Sequence, residues 1–209
     1  MYASETELGN GALRHLSVAK IDSIDDSTDT KARELKREFA PARRELLSMG
    51  PWKFAQKIAS MPQVTNDRTV AWTYKHSLPG DMLYLRGIID ASLQRYIFRD
   101  AQAFSTEQFV KQEPHERVGN DTVYSHVSAL EADYVFDKEN VTLWPSYAQS
   151  AFCAVLAERT FMSIVKDEAR YEQHQRKTRM IVSEKMSIDL NQQDDQENSF
   201  APQTLARLG

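Results

Sequence analysis

A chain of 209 residues, 41% hydrophobic and 27% charged, has the size and balance of one ordinary globular domain with room for an appended tail. Seven Gly and seven Pro are too few for collagen-like or low-complexity chains, and a formal net charge of −4 without a basic stripe argues against a free-standing nucleic-acid binder. No apolar run approaches the ~20 residues of a membrane helix, the opening MYASETELGN lacks the basic start and apolar centre of a signal peptide, and a single cysteine, Cys153, excludes an internal disulfide framework and suits a reducing compartment.

Ser4 and Glu7 have the spacing of a capping box. Leu8, Ala12, Leu13 and Leu16 then predict a short amphipathic helix, weakened by Gly9 and Gly11, so that packing must support it. IDSIDDSTD follows as an acidic loop anchored by Ile21 and Ile24, with Ser27 or Thr28 placed to cap the next helix. Ala32, Leu35, Phe39, Ala42 and Leu46 recur at three, four, three and four, one continuous apolar stripe. Pro41 inside it predicts a kink near residues 37–41. Gly50 and Pro51 end this helix and make a corner, where Trp52 can cover the junction between helix and sheet.

Beyond the corner the period changes to two. Trp52, Phe54 and Ile58 alternate, and VAWTYKHS alternates again with Val70, Trp72 and Tyr74 on one face. LPGD is a turn and MLYLRGII a further strand, so these runs predict an antiparallel sheet. RYIFRD, FVKQE and ADYVFD are strand candidates, and VYSHVS after GND (119–121) reads as a hairpin.

Helical periodicity returns after Pro145, a residue suited to a first helical turn. Tyr147, Ala148, Ala151, Phe152, Val155, Phe161, Met162 and Val165 form a stripe that Ala154, Leu156 and Ala157 widen, as in a central buried helix. The helix beginning DEARYEQ is more polar, with a thin stripe of Tyr171, Thr178, Val182, Met186 and Leu190. DDQENSFAPQTLARLG has no period. The reading is an α+β chain: a bundle with long helices over 1–50 and 144–195, a small antiparallel sheet inserted at 51–143, and a flexible C-terminal tail at 196–209.

Catalytic patterns are missing. The five histidines are scattered, with no HExxH, no G-x-S-x-G elbow and no phosphate-cradling glycine loop. The paired acids Asp25–Asp26, Asp167–Glu168 and Asp194–Asp195 read as water-facing surface rather than the two carboxyls of a glycosidase, one of which needs an apolar cleft. RKTR (176–179) reads as a partner for acids one helical turn away. Cys153, on an apolar helix face, reads as a buried thiol. Neither a cofactor nor a metal is expected.

The order of features resembles the tail tubular protein A family of podovirus-type phages, adaptors between portal and tail nozzle. The matching pieces are GALRHLSVAKIDSIDDSTDTKA, FAPARRELLSMGPWKFAQKIA, TYKHSLPGDMLYLRGI, VYSHVSALEADYVF and LWPSYAQSAFCAVLAERTF, collinear over roughly residues 8–195. In that family a helix pair ends at a Pro-Trp-x-Phe-Ala corner, here Gly50, Pro51, Trp52 and Phe54, and strands linked by a Leu-Pro-x-Asp turn follow.

The resemblance implies a structural protein of the virion neck, synthesised and assembled in the host cytoplasm. It implies a dodecameric ring that meets the portal and the tail nozzle, extends the conduit for double-stranded DNA, contacts no membrane and has no turnover. On that basis Phe200, Leu205 and Leu208 of the tail are expected at the portal, as apolar anchors that fold on binding. Asp167, Glu168, Glu184 and Asp189, with the 22–29 loop, are expected to face the channel and repel passing phosphates. A tail-associated muramidase-like hydrolase and a generic cytoplasmic binding module are the competing readings.

Overall fold

A computed structural model of the chain describes residues 1–100, 114–119 and 121–191. The chain divides into two compact units, Met1–Leu46 with Lys138–Gly209, and Leu47–Asp137. Among the described residues the fold is mixed: four helices and two small, four-stranded antiparallel sheets.

In the first unit, helix α1 (Glu5–His15) starts as its sequence predicts. Ser4 Oγ accepts the Glu7 N–H at 3.2 Å, while the Glu7 carboxylate reaches back one residue further than in the standard box, to the Ala3 N–H. Asn10 holds the following loop by donating to the Ile21 carbonyl and accepting the Ile21 N–H. Helix α2 (Thr30–Ser48) includes Pro41. Its cap is Asp29, whose carboxylate accepts the Lys31 N–H at 2.7 Å, rather than Ser27 or Thr28. Thr28 is occupied, since its N–H and hydroxyl both donate to Asp26.

Helix α3 (Ser146–Ile164) is the buried centre of this unit. It packs on α1 and on α4 (Glu168–Asn191). Phe152 meets Phe39 of α2 edge-on at 4.8 Å, and Arg159 reaches Glu38 and Glu45 of α2 at 2.8 and 2.6 Å. Buried Gln149 ties the chain start to α3, accepting from the Tyr2 N–H and donating to the Tyr2 carbonyl. The stripe of α4 differs from expectation. Thr178 and Val182 are buried, but His174 and Asp189 join them, and Tyr171, Met186 and Leu190 are only half-buried.

The second unit carries strands β1 (Gln56–Met61), β2 (Gln63–Val64), β3 (Tyr74–Ser77), β4 (Met82–Asp90), β5 (Arg95–Arg99), β6 (His115–Val118), β7 (Thr122–Ser125) and β8 (Leu130–Phe136). The expected single sheet is instead two, ordered β1-β8-β4-β5 and β2-β3-β7-β6. Pro62 stands where the chain leaves one for the other. It has no N–H to extend the β1–β8 ladder, and its carbonyl accepts the Ser77 N–H instead. The second crossing is the LPGD turn, closed from the Met82 N–H to the Pro79 carbonyl at 3.2 Å. Met61, Leu85, Ile88, Ile97 and Tyr134 of the first sheet share one core with Val123 of the second.

β4 is buried continuously from Leu85 to Asp90, as a central strand covered on both faces. Gly87 is required there, because a Cβ would lie 2.8 Å from the Tyr96 ring and 2.9 Å from the Phe98 carbonyl. The hairpin at Gly119 is present, with φ +65° at that glycine. The strand expected from Val70 begins only at Tyr74. Val70 is fully exposed, and residues 66–72 are wound into a turn by bonds from the Ala71 and Trp72 N–H groups to the Arg68 carbonyl and from Asn66 to the Trp72 carbonyl. FVKQE (109–113), Asn120 and the tail 196–209 lie outside the described residues.

Candidate functional site

The acids expected to share a water-facing role separate. Asp167 caps α4, accepting the Arg170 N–H at 3.2 Å. Glu168 is exposed in the first turn, where the helix dipole favours an acid. Glu184 is exposed and pairs with Lys185 at 2.6 Å. Asp189 must be corrected: it is 3% exposed and accepts from the Tyr147 hydroxyl of α3 at 2.6 Å. It lies seven residues beyond Val182, on the packed stripe, so it faces the interior of its unit. Burial, and then the Asp189 carboxylate, push the Tyr147 phenol up. The acids of the 22–29 loop serve local structure: Asp26 holds Thr28, Asp29 caps α2 and Asp25 pairs with Lys36.

The Gly50–Pro51–Trp52 corner is a γ-turn, with the Trp52 N–H donating to the Gly50 carbonyl at 3.0 Å across Pro51. The proline ring fixes φ near the value that this turn needs. A short 3-10 turn at Lys53–Ala55 follows, and the buried Trp52 ring meets Phe54 edge-on at 5.6 Å. Phe200, Leu205 and Leu208, the expected portal anchors, lie outside the described residues.

Two polar clusters in the strand unit had no sequence signal beyond their residue types. Asp133 is fully buried in β8, 3.6 Å from the Arg86 guanidinium, and accepts from the Gln56 amide at 2.8 Å and the Tyr96 hydroxyl at 2.9 Å. Burial and the nearby Asp133 charge push the Tyr96 phenol up to about 12. Amide and phenol donors and the charge of the Arg86 guanidinium surround this carboxylate, an arrangement suited to holding β1, β4, β5 and β8 in register. On the other sheet Glu116 accepts from Arg68 and from the Trp72 indole, while Asp67 accepts from Lys75 and Tyr124.

His76 is buried between the Met61 and Val127 carbonyls, and His126 lies against Trp72 with ring centres 5.1 Å apart. Among the described residues no three His, Cys, Asp or Glu side chains converge as a metal site, and no helix is long and apolar enough to cross a membrane. Cys153 is buried and its thiol donates to the Leu8 carbonyl at 3.4 Å. No protein-family model matches the chain, and no curated protein matches it.

Large apolar side chains remain on the surface of the helical unit: Met162 on α3, and Met180 and Ile188 on α4. Isolated apolar side chains are ordinary on a surface, and α4 also carries exposed Glu184, Arg176 and Lys177.

Proposed function

We propose that the chain is a structural adaptor of the tail tubular protein A type, a non-enzymatic ring component, dodecameric in the virion, that sits between portal and tail nozzle and extends the channel for double-stranded DNA. What supports the reading is where the collinear motifs fall. Pro51-Trp52-Lys53-Phe54-Ala55 follows α2 after Met49 and Gly50, Leu78-Pro79-Gly80-Asp81 is the turn between β3 and β4, and Pro145 immediately precedes α3, which leads into α4. That each motif falls at an element boundary is what favours the reading.

In this reading the helical unit is a bundle whose long helices stand beside those of neighbouring copies. A closed ring uses two different faces of each subunit, and Met162 and Ile188 are apolar groups such a face would cover. Asp167, Glu168 and Glu184 line the channel, without Asp189, and Phe200, Leu205 and Leu208 dock on the portal.

Mixing the purified chain with its portal protein and imaging the complex tests the proposal. A stacked ring of copies beneath the portal is expected, and deleting residues 196–209 should weaken its attachment. Absence of any portal complex across a concentration series overturns the reading.

A further inference from the structure

A cleft of about 460 Å³ opens in the helical unit between the end of α1, the end of α3 and the first half of α4. Its size lies within the ~300–1,000 Å³ of small-molecule sites. His15, Arg170, His174, Arg176 and Lys177 line it, while Leu16, Phe161 and Met180 give it an apolar side. We propose that this cleft binds a phosphate ester or diphosphate, with the phosphate held by the cationic side chains and the organic part resting against Leu16, Phe161 and Met180.

Three observations lead there. First, positive charge is left over. Arg170 and Arg176 each make one long ion pair, with Asp167 at 3.9 Å and with Glu172 at 3.8 Å, both beyond hydrogen-bond length, so three cations of α4 face two paired acids. Lys177 pairs with no carboxylate among the described residues.

Second, His174 is 9% exposed and its Nε2 has no hydrogen-bond partner, although the ring lines the cleft. An unpartnered buried nitrogen on a cleft-lining ring is a costly arrangement, and a small turn of the ring toward the cleft would let a ligand oxygen relieve it. Its ring is held in place by Phe161, with centres 5.0 Å apart.

Third, the end of α1 repels an anion less than a bare helix C-terminus would. The carbonyls of Ala12, Leu13 and Arg14 are taken by the N–H groups of Leu16, Ser17 and Val18, with Ser17 in the left-handed region at φ +58°.

The crowding of cations is visible in the imidazoles. Burial first, then Lys177 and Arg14, hold His15 below the usual histidine value. Burial first, then His15, Lys177 and Arg170, do the same for His174. A phosphate group matches this set better than a lone carboxylate, because it carries nearly two charges and three acceptor oxygens for guanidinium and ammonium donors.

The proposal does not depend on the adaptor reading. The test is calorimetric titration of the full chain near pH 7 with pyrophosphate, with adenosine monophosphate and with a short DNA duplex, alongside NMR of the histidine ring protons. Saturable pyrophosphate binding that shifts the His15 and His174 signals is expected. Lys177→Glu should weaken it about tenfold or more, and Lys185→Gln, on the same helix away from the cleft, should leave it unchanged. Competition by the duplex would identify the source as a nucleic-acid backbone; competition by the monophosphate alone, as a small ester. No binding by the folded wild-type chain, binding that leaves both histidine signals in place, or equal loss in the two variants overturns the proposal.

Discussion

Gly11 of α1 faces Cys153 of α3 with no room between them: a Cβ at position 11 would lie 2.7 Å from the thiol sulfur and 2.9 Å from the Tyr2 hydroxyl oxygen. The glycine that weakens the helix in isolation is what allows it to pack so closely.

Gly11→Ala should therefore destabilise the protein, although alanine is the better helix former. Overpacking costs about 1–3 kcal/mol, against a propensity gain of about 1 kcal/mol. Denaturant titration should report a net loss of up to about 2 kcal/mol from these two terms. Adding Cys153→Ala should recover part of it, so that the double variant is less destabilised than the sum of the singles. Equal or greater stability of Gly11→Ala would contradict the packing described.

Burial pushes the Cys153 thiol up to about 12. Because the thiolate is the reactive form, the native protein should resist a thiol reagent near pH 8, and modification should appear only with unfolding. Rapid labelling of the native chain would place the sulfur at the surface, against its burial.

Tyr147→Phe removes the hydroxyl that donates to buried Asp189. Leaving a buried acceptor short of a donor costs about 1–3 kcal/mol, and the midpoint of urea unfolding should fall accordingly with little change in slope. A shift below about 0.5 kcal/mol, the size expected of a neutral surface change, would return Asp189 to the exposed acids.

Asp67 is held down to about 2, first by the Lys75 ammonium at 2.8 Å and then by the Tyr124 hydroxyl at 2.7 Å. A carboxyl depressed in the folded state stabilises above its unfolded value, near 4, and that contribution disappears as pH falls from about 4 to about 2. Carbon-detected NMR should find the Asp67 midpoint near the lower figure, and Lys75→Met should raise it. An ordinary carboxylate midpoint in the native protein would refute the pairing.

The helices and the cap of α1 were legible because their signals are local, whereas the cap of α2 fell to Asp29 once Asp26 had engaged Thr28. The stripe of Leu35, Phe39, Ala42 and Leu46 needs only its own spacing, and Ser4 with Glu7 are neighbours in the chain. Features set by distant partners were not. Pro62 is visible in the sequence, but its effect depends on which strand lies beside it. Asp189 looks like any surface acid until Tyr147, forty-two residues earlier, is placed against it. Val70 alternates correctly with Trp72, yet Asn66 and Arg68 bind the intervening backbone before it can pair. The cleft joins His15 to His174 across most of the chain, and histidine spacing alone carried no hint of it.

The strand unit is inserted within the helical one, and this sets the timetable of synthesis. The bonds from Cys153 to the Leu8 carbonyl and between Gln149 and Tyr2 span 145 and 147 residues. At ribosomal speeds of about 5–20 residues per second, the first helix waits roughly 7–30 s for its mate to be translated. For that interval Leu8, Ala12 and Leu13 are a greasy ridge that a nascent-chain chaperone can cover, while the strands between, already complete, are free to fold ahead of the segment that started first.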